Sequence, residues 1–185
     1  MRKQVKKRIW LIRLRNRKNL TQQEVAERAF IDRSYYAQIE SGERKPSIDV
    51  TQKIAEILHF HYSRFELEAN PFRFALEDTP MSLSHCDKEL RYTWLFNPHD
   101  DFNAEDAIGK TPIELADNDG TRELTQLKVD VLNGQFPVRK RIPFPLSTGV
   151  VIYDVYGHPL LNEQGEVIGV ATASVQSPSI ERKAR

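Results

Sequence analysis

The sequence has 185 residues, of which 39% are hydrophobic and 29% are charged, with a formal net charge of +1. This composition is typical of a globular protein of one or two domains. No apolar run approaches the length of about 18 residues that crosses a membrane, and the apolar stretch 9–12 is too short for the core of a signal peptide. The single cysteine, Cys86, excludes an internal disulfide and a cysteine-rich metal site. We therefore expect a cytoplasmic protein that makes no contact with a membrane.

The charge is distributed unevenly along the chain. Residues 1–69 carry 15 basic and 9 acidic side chains, a net charge of +6, whereas residues 70–185 carry 12 and 17, a net charge of −5. Residues 1–20 contain no acidic side chain and nine basic ones: Arg2, Lys3, Lys6, Lys7, Arg8, Arg13, Arg15, Arg17 and Lys18. Basic side chains neutralise phosphates and so supply affinity for nucleic acids. We predict a basic domain over 1–69, a second domain over 70–178 with a different partner, and a flexible tail over 179–185.

Five helices are predicted in the first domain. Apolar residues at helical spacing predict the first over 5–18, with an inward face of Val5, Ile9, Ile12 and Leu14. Thr21 and Glu24 have the spacing of a capping box at the start of the second helix. Asp32 is a good N-cap for a third helix that runs to Ser41, with Gly42 just past its end. Ser47 caps a fourth helix, and residues 59–67 contain a short fifth.

The third helix carries the functional prediction. Tyr36 and Ile39 are expected to pack inward, which leaves a small, polar face without a carboxylate: Arg33, Ser34, Ala37, Gln38 and Ser41. Arginine and glutamine side chains can each make two hydrogen bonds to a base edge in the major groove. Arg44 and Lys45 follow in a loop and would contact the DNA backbone. The alternative is an ordinary solvated helix face.

The stretch LTQQEVAERAFIDRSYYAQIESGERKPS, residues 20–47, resembles the helix-turn-helix domain of the Cro/repressor (XRE) family, and the likeness extends over about 5–66. It implies an all-α domain of five helices. Together with the loop cations, the predicted DNA-binding set is Thr21, Gln22, Arg33, Ser34, Tyr35, Gln38, Arg44 and Lys45. Within that set, the resemblance implies that Gln22, at the N-terminus of the second helix, hydrogen-bonds a DNA phosphate. It also implies that Arg33, Ser34 and Gln38 contact bases.

The same resemblance pairs Arg15 with Glu40 in a largely buried ion pair between the first and third helices. The alternative is two unrelated surface charges. Phe30 stands where the family commonly has glycine, and we expect its ring to fill the core.

A different pattern follows Asn70-Pro71, which marks the predicted domain boundary. A short helix is predicted over 72–78. Further on, the predicted elements are strands over 82–87 and 90–96, helices over 103–108, 111–116 and 121–132, and strands over 138–144, 149–157 and 167–175, with a turn at 162–165. This order predicts an α+β domain with an antiparallel sheet and its helices on one face.

Two segments of this region, LRYTWLFNPHDDFNAEDAIGKT and HPLLNEQGEVIGVATASVQ, resemble a PAS sensor domain. The likeness covers about residues 72–177. It implies a five-stranded antiparallel sheet, a pocket between the sheet and the helices, and dimerisation through the sheet or the preceding helix.

No ligand or cofactor is identified by the sequence. The flavin-binding members of the PAS family use an Asn-Cys-Arg motif on a helix, whereas Cys86 lies in a predicted strand and is expected to be a core residue. The haem-binding members often use a histidine of the long helix, and residues 121–132 contain none. A phosphate-binding glycine loop, a nucleophile elbow and a metal-spaced ligand set are all missing from the sequence. We therefore expect neither an enzyme nor a metal site.

Together these patterns predict a two-domain transcriptional regulator that binds double-stranded DNA as a homodimer at a palindromic operator. The PAS-like domain would dimerise the protein and sense a small-molecule or redox signal. The alternative is an interaction adaptor whose basic helical domain binds RNA or an acidic protein.

Overall fold

The structure, a computed structural model, describes residues 7–68, 75–77 and 79–177. The chain divides into two compact units, residues 1–73 and 74–185. The predicted boundary at 69–70 and the predicted tail at 179–185 lie outside the described residues, as does most of the predicted helix at 72–78.

Five helices form the described part of the first unit, as predicted. They are α1 (Ile9–Arg17), α2 (Gln22–Ala29), α3 (Arg33–Ser41), α4 (Ile48–Leu58) and α5 (Arg64–Leu67). The buried apolar side chains come from all five helices and the loop before α5: Trp10, Leu11, Leu14, Val25, Ala26, Ala29, Tyr36, Ile39, Ile54, Ala55, Leu58, Phe60 and Phe65. Each of the five helices therefore contributes apolar side chains to the interior of the unit.

The predicted capping residues lie where local chemistry requires them. The Thr21 hydroxyl accepts a hydrogen bond from Glu24 N at 3.2 Å, and the Glu24 carboxylate accepts one from Thr21 N at 2.7 Å. Gly42 follows α3 with a φ of 83°, a left-handed conformation that glycine adopts without a steric penalty. Asp32 precedes α3, although its side chain makes no capping hydrogen bond. The capping box therefore marks the start of α2, and Gly42 marks the end of α3.

The inward face predicted for α1 was confirmed at Leu14 and wrong at Ile9 and Ile12. Ile9 and Ile12 are half-buried, Val5 lies outside the described residues, and the buried side chains of the helix are Trp10, Leu11 and Leu14. The Trp10 indole packs edge-on against the rings of Phe60 and Phe65, with 5.2 Å between ring centroids in both pairs. A side chain of this size sets the rotation of the helix about its axis.

Phe30 does not fill the core, contrary to the prediction. It ends α2 in the left-handed conformation, with a φ of 56°, and its side chain is 85% exposed. The backbone geometry that glycine commonly supplies at this turn is kept, and it directs the ring outward. The Lys53 ammonium lies 5.5 Å from the centroid of that ring.

The described residues of the second unit form the predicted five-stranded antiparallel sheet and the three helices predicted between its second and third strands. Its strands are β1 (Met81–Asp87), β2 (Tyr92–Phe96), β3 (Val138–Leu146), β4 (Gly149–Leu161) and β5 (Val167–Gln176), in the order β2-β1-β5-β4-β3. Its helices are α6 (Ala104–Ala107), α7 (Pro112–Leu115) and α8 (Asp119–Gly134).

The core of the second unit lies between α8 and the sheet. It contains Cys86, Leu124, Leu127, Val131, Ile142, Val155 and Val170. Gly157 of β4 lets α8 approach the sheet closely, because a Cβ atom there would lie 2.7 Å from Leu127. Cys86 is 1% exposed, which confirms its prediction as a core residue.

Candidate nucleic-acid interface and ligand cavity

Helix α3 presents the predicted base-reading residues at the surface. Arg33 and Ser34 are exposed, and Tyr35 and Gln38 are half-buried. Tyr36 and Ile39, on the other side of the helix, are completely buried. The face that could enter a major groove therefore carries guanidinium, hydroxyl and amide groups, and the Glu40 carboxylate is turned into the domain, where it is 2% exposed.

The loop after α3 holds two exposed cations beside that face, Arg44 and Lys45. Arg44 N donates to Gln38 O at 3.1 Å, which folds the loop back over the end of the helix. The Arg44 guanidinium lies 5.8 Å from the centroid of the Tyr35 ring. Both cations, which the sequence predicts as contacts to the DNA backbone, are exposed to solvent.

Glu40 is the centre of a buried polar network. Arg15 Nε donates to Glu40 Oε1 at 2.6 Å, and Gln22 Nε2 donates to Glu40 Oε2 at 2.7 Å. The hydrogen bond to Glu40 raises the pKa of Arg15, and burial raises the pKa of Tyr36 beside them. A glutamine amide has two N–H donors. The donor that Glu40 leaves free is the one that the predicted phosphate contact of Gln22 would use.

Arg8 has a structural role that the sequence did not indicate. It belongs to the basic residues of 1–20, whose charge predicts a nucleic-acid partner, yet it is only 9% exposed. One guanidinium nitrogen, Nη1, donates to Ile39 O at 2.6 Å and to Arg44 O at 2.9 Å, and Nε donates to Glu68 at 2.9 Å. Arg8 therefore fixes the end of α3 and the loop that carries Arg44. No local sequence signal marks it, because its partners are distant along the chain.

A cavity of about 90 Å³ lies between the helices and the sheet of the second unit. Its lining includes five hydroxyl-bearing residues, Ser82, Ser84, Thr121, Thr172 and Ser174, and apolar residues such as Leu95, Phe102, Leu124, Phe144 and Leu146. The hydroxyls of β1 and β5 recur at every second residue, a spacing that places them on one face of a strand. The same alternation of hydroxyl residues is visible in the sequence.

Asp101 joins two loops at the edge of this cavity. Its carboxylate accepts hydrogen bonds from the backbone N–H of Ser147, at 2.7 Å, and from the Ser147 hydroxyl. These bonds lower the pKa of Asp101. His99, which lines the cavity, lies 3.4 Å from the same carboxylate. The loop after β2 is thereby fastened to the turn between β3 and β4.

Lys128 of α8 is completely buried, and among the described residues no hydrogen-bond acceptor reaches its Nζ. Its ammonium lies 4.0 Å from the centroid of the Tyr92 ring. Residue 128 lies four positions after Leu124 and three before Val131, so the helical spacing already placed this lysine on the buried face.

Within residues 7–68, 75–77 and 79–177, no three His, Cys, Asp or Glu side chains are grouped as metal ligands would be. In the same residues, no helix has both the length and the apolar character that a bilayer crossing requires.

Comparison with known proteins identifies both units. Residues 11–65 match the helix-turn-helix family, and residues 76–176, more than half of the chain, match the PAS fold family. Over 56 residues the chain is 50% identical to the uncharacterized HTH-type transcriptional regulator YqaF of Bacillus subtilis, a match that covers 30% of this chain and 74% of YqaF. The chain belongs to the helix-turn-helix and PAS fold families.

Other similar proteins share one part of the chain. Histidine kinase 5 of Arabidopsis thaliana is 31% identical over 98 residues, which are 52% of this chain and 11% of the kinase, so the chain spans about a tenth of that relative. A VqmA–ligand–DNA complex from Vibrio cholera superposes with a TM-score of 0.50 at 17% identity, covering 58% of this chain and 50% of VqmA. A Vibrio cholerae VqmA dimer without target DNA gives a TM-score of 0.51 at 17% identity, covering 58% and 51%. At this identity the likeness shows the fold alone.

Proposed function

We propose that this helix-turn-helix and PAS protein is a transcriptional regulator that binds double-stranded DNA through α3 and has no enzymatic activity. The observation that carries the proposal is the outward face of α3, where Arg33, Ser34 and Gln38 stand beside the exposed cations Arg44 and Lys45. Side chains of these types hydrogen-bond base edges and phosphates. The similarity to YqaF supports the same function.

We further propose that the protein acts as a homodimer in the cytoplasm. A single helix-turn-helix unit contacts only a few base pairs, and two units on a palindromic site combine their contacts. The dimeric state of VqmA, which has the same fold over 58% of this chain, supports this arrangement.

The PAS unit is proposed to sense a small molecule in the cavity. The cavity wall offers hydroxyl donors and acceptors next to apolar surface, the combination that small-molecule sites commonly have. The VqmA structure that contains a ligand supports a sensory role. A redox signal at Cys86 is less favoured, because burial raises the pKa of its thiol and keeps it in the unreactive protonated form.

Selection from random DNA duplexes tests the proposal. The full-length protein is expected to enrich one sequence with two inverted half-sites and to bind it as a dimer, as measured by light scattering of the complex. Its affinity is expected to fall steeply as salt rises, since binding releases counterions from phosphates. Equal binding to all duplexes, or preferred binding to RNA of the same sequence, would favour the adaptor instead.

A further inference from the structure

We infer that Glu68 is a positioning residue for DNA binding, which acts through Arg8 on the end of α3 and on the loop that carries Arg44. The inference rests on the proposed function and deepens it, since it adds a residue from outside the predicted DNA-binding set. It starts from the hydrogen bonds to the Glu68 carboxylate. Arg8 Nε lies 2.9 Å from Oε2 and 3.1 Å from Oε1, and Trp10 Nε1 donates to Oε1 at 2.9 Å.

The guanidinium of Arg8 connects this carboxylate to α3. Its Nη1 donates to Ile39 O at 2.6 Å and to Arg44 O at 2.9 Å. A guanidinium is planar and rigid, so the direction in which Nε points also sets the direction in which Nη1 points. Glu68, which holds Nε, therefore aims Nη1 at the two carbonyl groups.

The two carbonyl groups belong to the part of the protein that is proposed to contact DNA. Ile39 O lies in the last turn of α3, where carbonyl groups lack partners within the helix and attract a cation. The same oxygen accepts a hydrogen bond from Gly42 N at 3.2 Å, and Arg44 N donates to Gln38 O at 3.1 Å. The bonds made by Arg8 thus join the loop to the helix turn that carries Gln38.

The burial of Arg8 suits positioning and opposes a direct contact with phosphate. Arg8 is 9% exposed, and its guanidinium lies 5.3 Å from the centroid of the Phe65 ring. A cation in such a place is stabilised by a partner of opposite charge. Glu68, whose side chain is 34% exposed, is such a partner. Loss of the Glu68 charge should therefore change how the guanidinium sits while the charge of Arg8 stays.

The sign of the effect of Glu68→Gln on DNA affinity separates positioning from simple electrostatics. The variant removes a negative charge from the helix-turn-helix unit, which by charge alone would leave phosphate binding unchanged or strengthen it. Positioning predicts the reverse. Binding of the full-length protein to the selected duplex, measured by fluorescence anisotropy, should weaken about tenfold, the factor that corresponds to one charge-assisted hydrogen bond. Glu66→Gln, the same change at an exposed residue of α5, should not weaken binding.

Two further variants test the path through Arg8. Arg8→Lys keeps the positive charge but lacks the planar fork that holds Glu68 and the two carbonyl groups together, so it should also weaken binding. The double variant Arg8→Lys/Glu68→Gln should bind no more weakly than the weaker single variant, because both changes break one contact. Glu68→Asp keeps the charge on a shorter side chain. It should weaken binding too, and it decides the case if Glu68→Gln does not fold.

NMR of the ¹⁵N-labelled full-length protein without DNA tests the contact itself. Glu68→Gln should shift the indole N–H signal of Trp10 and the backbone amide signals of residues 39–44, and Glu66→Gln should leave these signals in place. The same spectra show whether each variant is folded.

Three results would overturn the inference. They are unchanged or tighter DNA binding by folded Glu68→Gln, fully additive effects in the double variant, and amide signals of residues 39–44 that do not move. Wild type that binds no duplex refutes the proposed regulator. Wild type that binds its duplex, together with a folded Glu68→Gln that binds equally well, refutes this inference alone.

Discussion

Arg15 and Glu40 show how one pair of residues holds the DNA-binding domain together. Their side chains are 13% and 3% exposed and lie 2.6 Å apart, and Glu40 also holds Gln22. The resemblance to the Cro/repressor family predicted the pair from the sequence. The charges themselves did not, because 25 residues separate them and many other pairings were equally compatible with the composition.

Removing one partner of this pair should destabilise the domain strongly. Arg15→Met leaves the Glu40 carboxylate buried without its cation, and we expect the free energy of unfolding to fall by about 3–5 kcal/mol. Urea unfolding followed by circular dichroism measures the change, with Arg28→Met as the matched control at an exposed arginine. The double variant Arg15→Met/Glu40→Leu should recover most of the loss. A double variant no more stable than the single one would contradict the pairing.

The Cys86 thiol should be protected in the folded protein. Burial raises its pKa, so the thiol stays protonated at neutral pH, and iodoacetamide should label it far more slowly in native buffer than in denaturant, as measured by mass spectrometry. Because the folded pKa lies above the unfolded one, the unfolded state loses its proton first. Stability should therefore decline as pH rises above the ordinary thiol pKa, and Cys86→Ala should lose that part of the decline. Rapid labelling in native buffer would restore Cys86 as a candidate redox sensor.

At the scale of the helix and strand, the local signals were the most reliable. The capping box at Thr21 and Glu24, the glycine after α3 and the turn at 162–165 each depend on a few neighbouring residues, and each was predicted. The rotation of α1 and the role of Arg8 depend on contacts with α3 and α5, far away in the sequence. Periodicity cannot reveal such contacts, so both were missed.

The turn between α2 and α3 offers a test of backbone strain at Phe30. Glycine and alanine both delete the exposed ring, and they differ in how readily they adopt the left-handed conformation at this position. We expect Phe30→Gly to be more stable than Phe30→Ala by about 1 kcal/mol. Thermal unfolding of the two variants measures the difference. Equal stabilities would show that the turn rearranges when the ring is removed.

Gln38 of α3 and Arg44 of the loop after it should have separable roles in DNA binding. Gln38→Ala removes a base-reading amide and should relax specificity at one base position, at a cost of about 1–3 kcal/mol for the preferred site. Arg44→Ala removes a cation beside the backbone and should weaken all sequences alike, with a smaller salt dependence. Gel-shift titrations against the selected site and its single-base variants distinguish the two effects. Uniform weakening by Gln38→Ala, together with a loss of specificity in Arg44→Ala, would contradict the placement of α3 in the groove.

At the scale of the whole molecule, the sequence predicted two units of opposite charge, and the fold of each unit was confirmed. The cavity contents could not be predicted, because a cavity wall is assembled from distant elements, here β1, β5 and α8 among others. The buried lysine was accessible from helical spacing, but only knowledge of its surroundings shows that it has no hydrogen-bond acceptor among the described residues. The DNA-binding residues remain predictions, which the exposure of Arg33 and Ser34 on α3 and of Arg44 and Lys45 in the next loop supports.

The central claim, that the outward face of α3 binds DNA, is tested most directly by reversing its chemistry. In Arg33→Glu/Gln38→Glu the face carries two carboxylates, and fluorescence anisotropy measures binding to the selected duplex, with Lys110→Glu at an exposed position of the PAS unit as the control. We predict that the double variant, still folded by circular dichroism, loses all preference for the selected duplex, while the control keeps both the affinity and the preference of wild type. Wild-type affinity and preference in the double variant would contradict the claim.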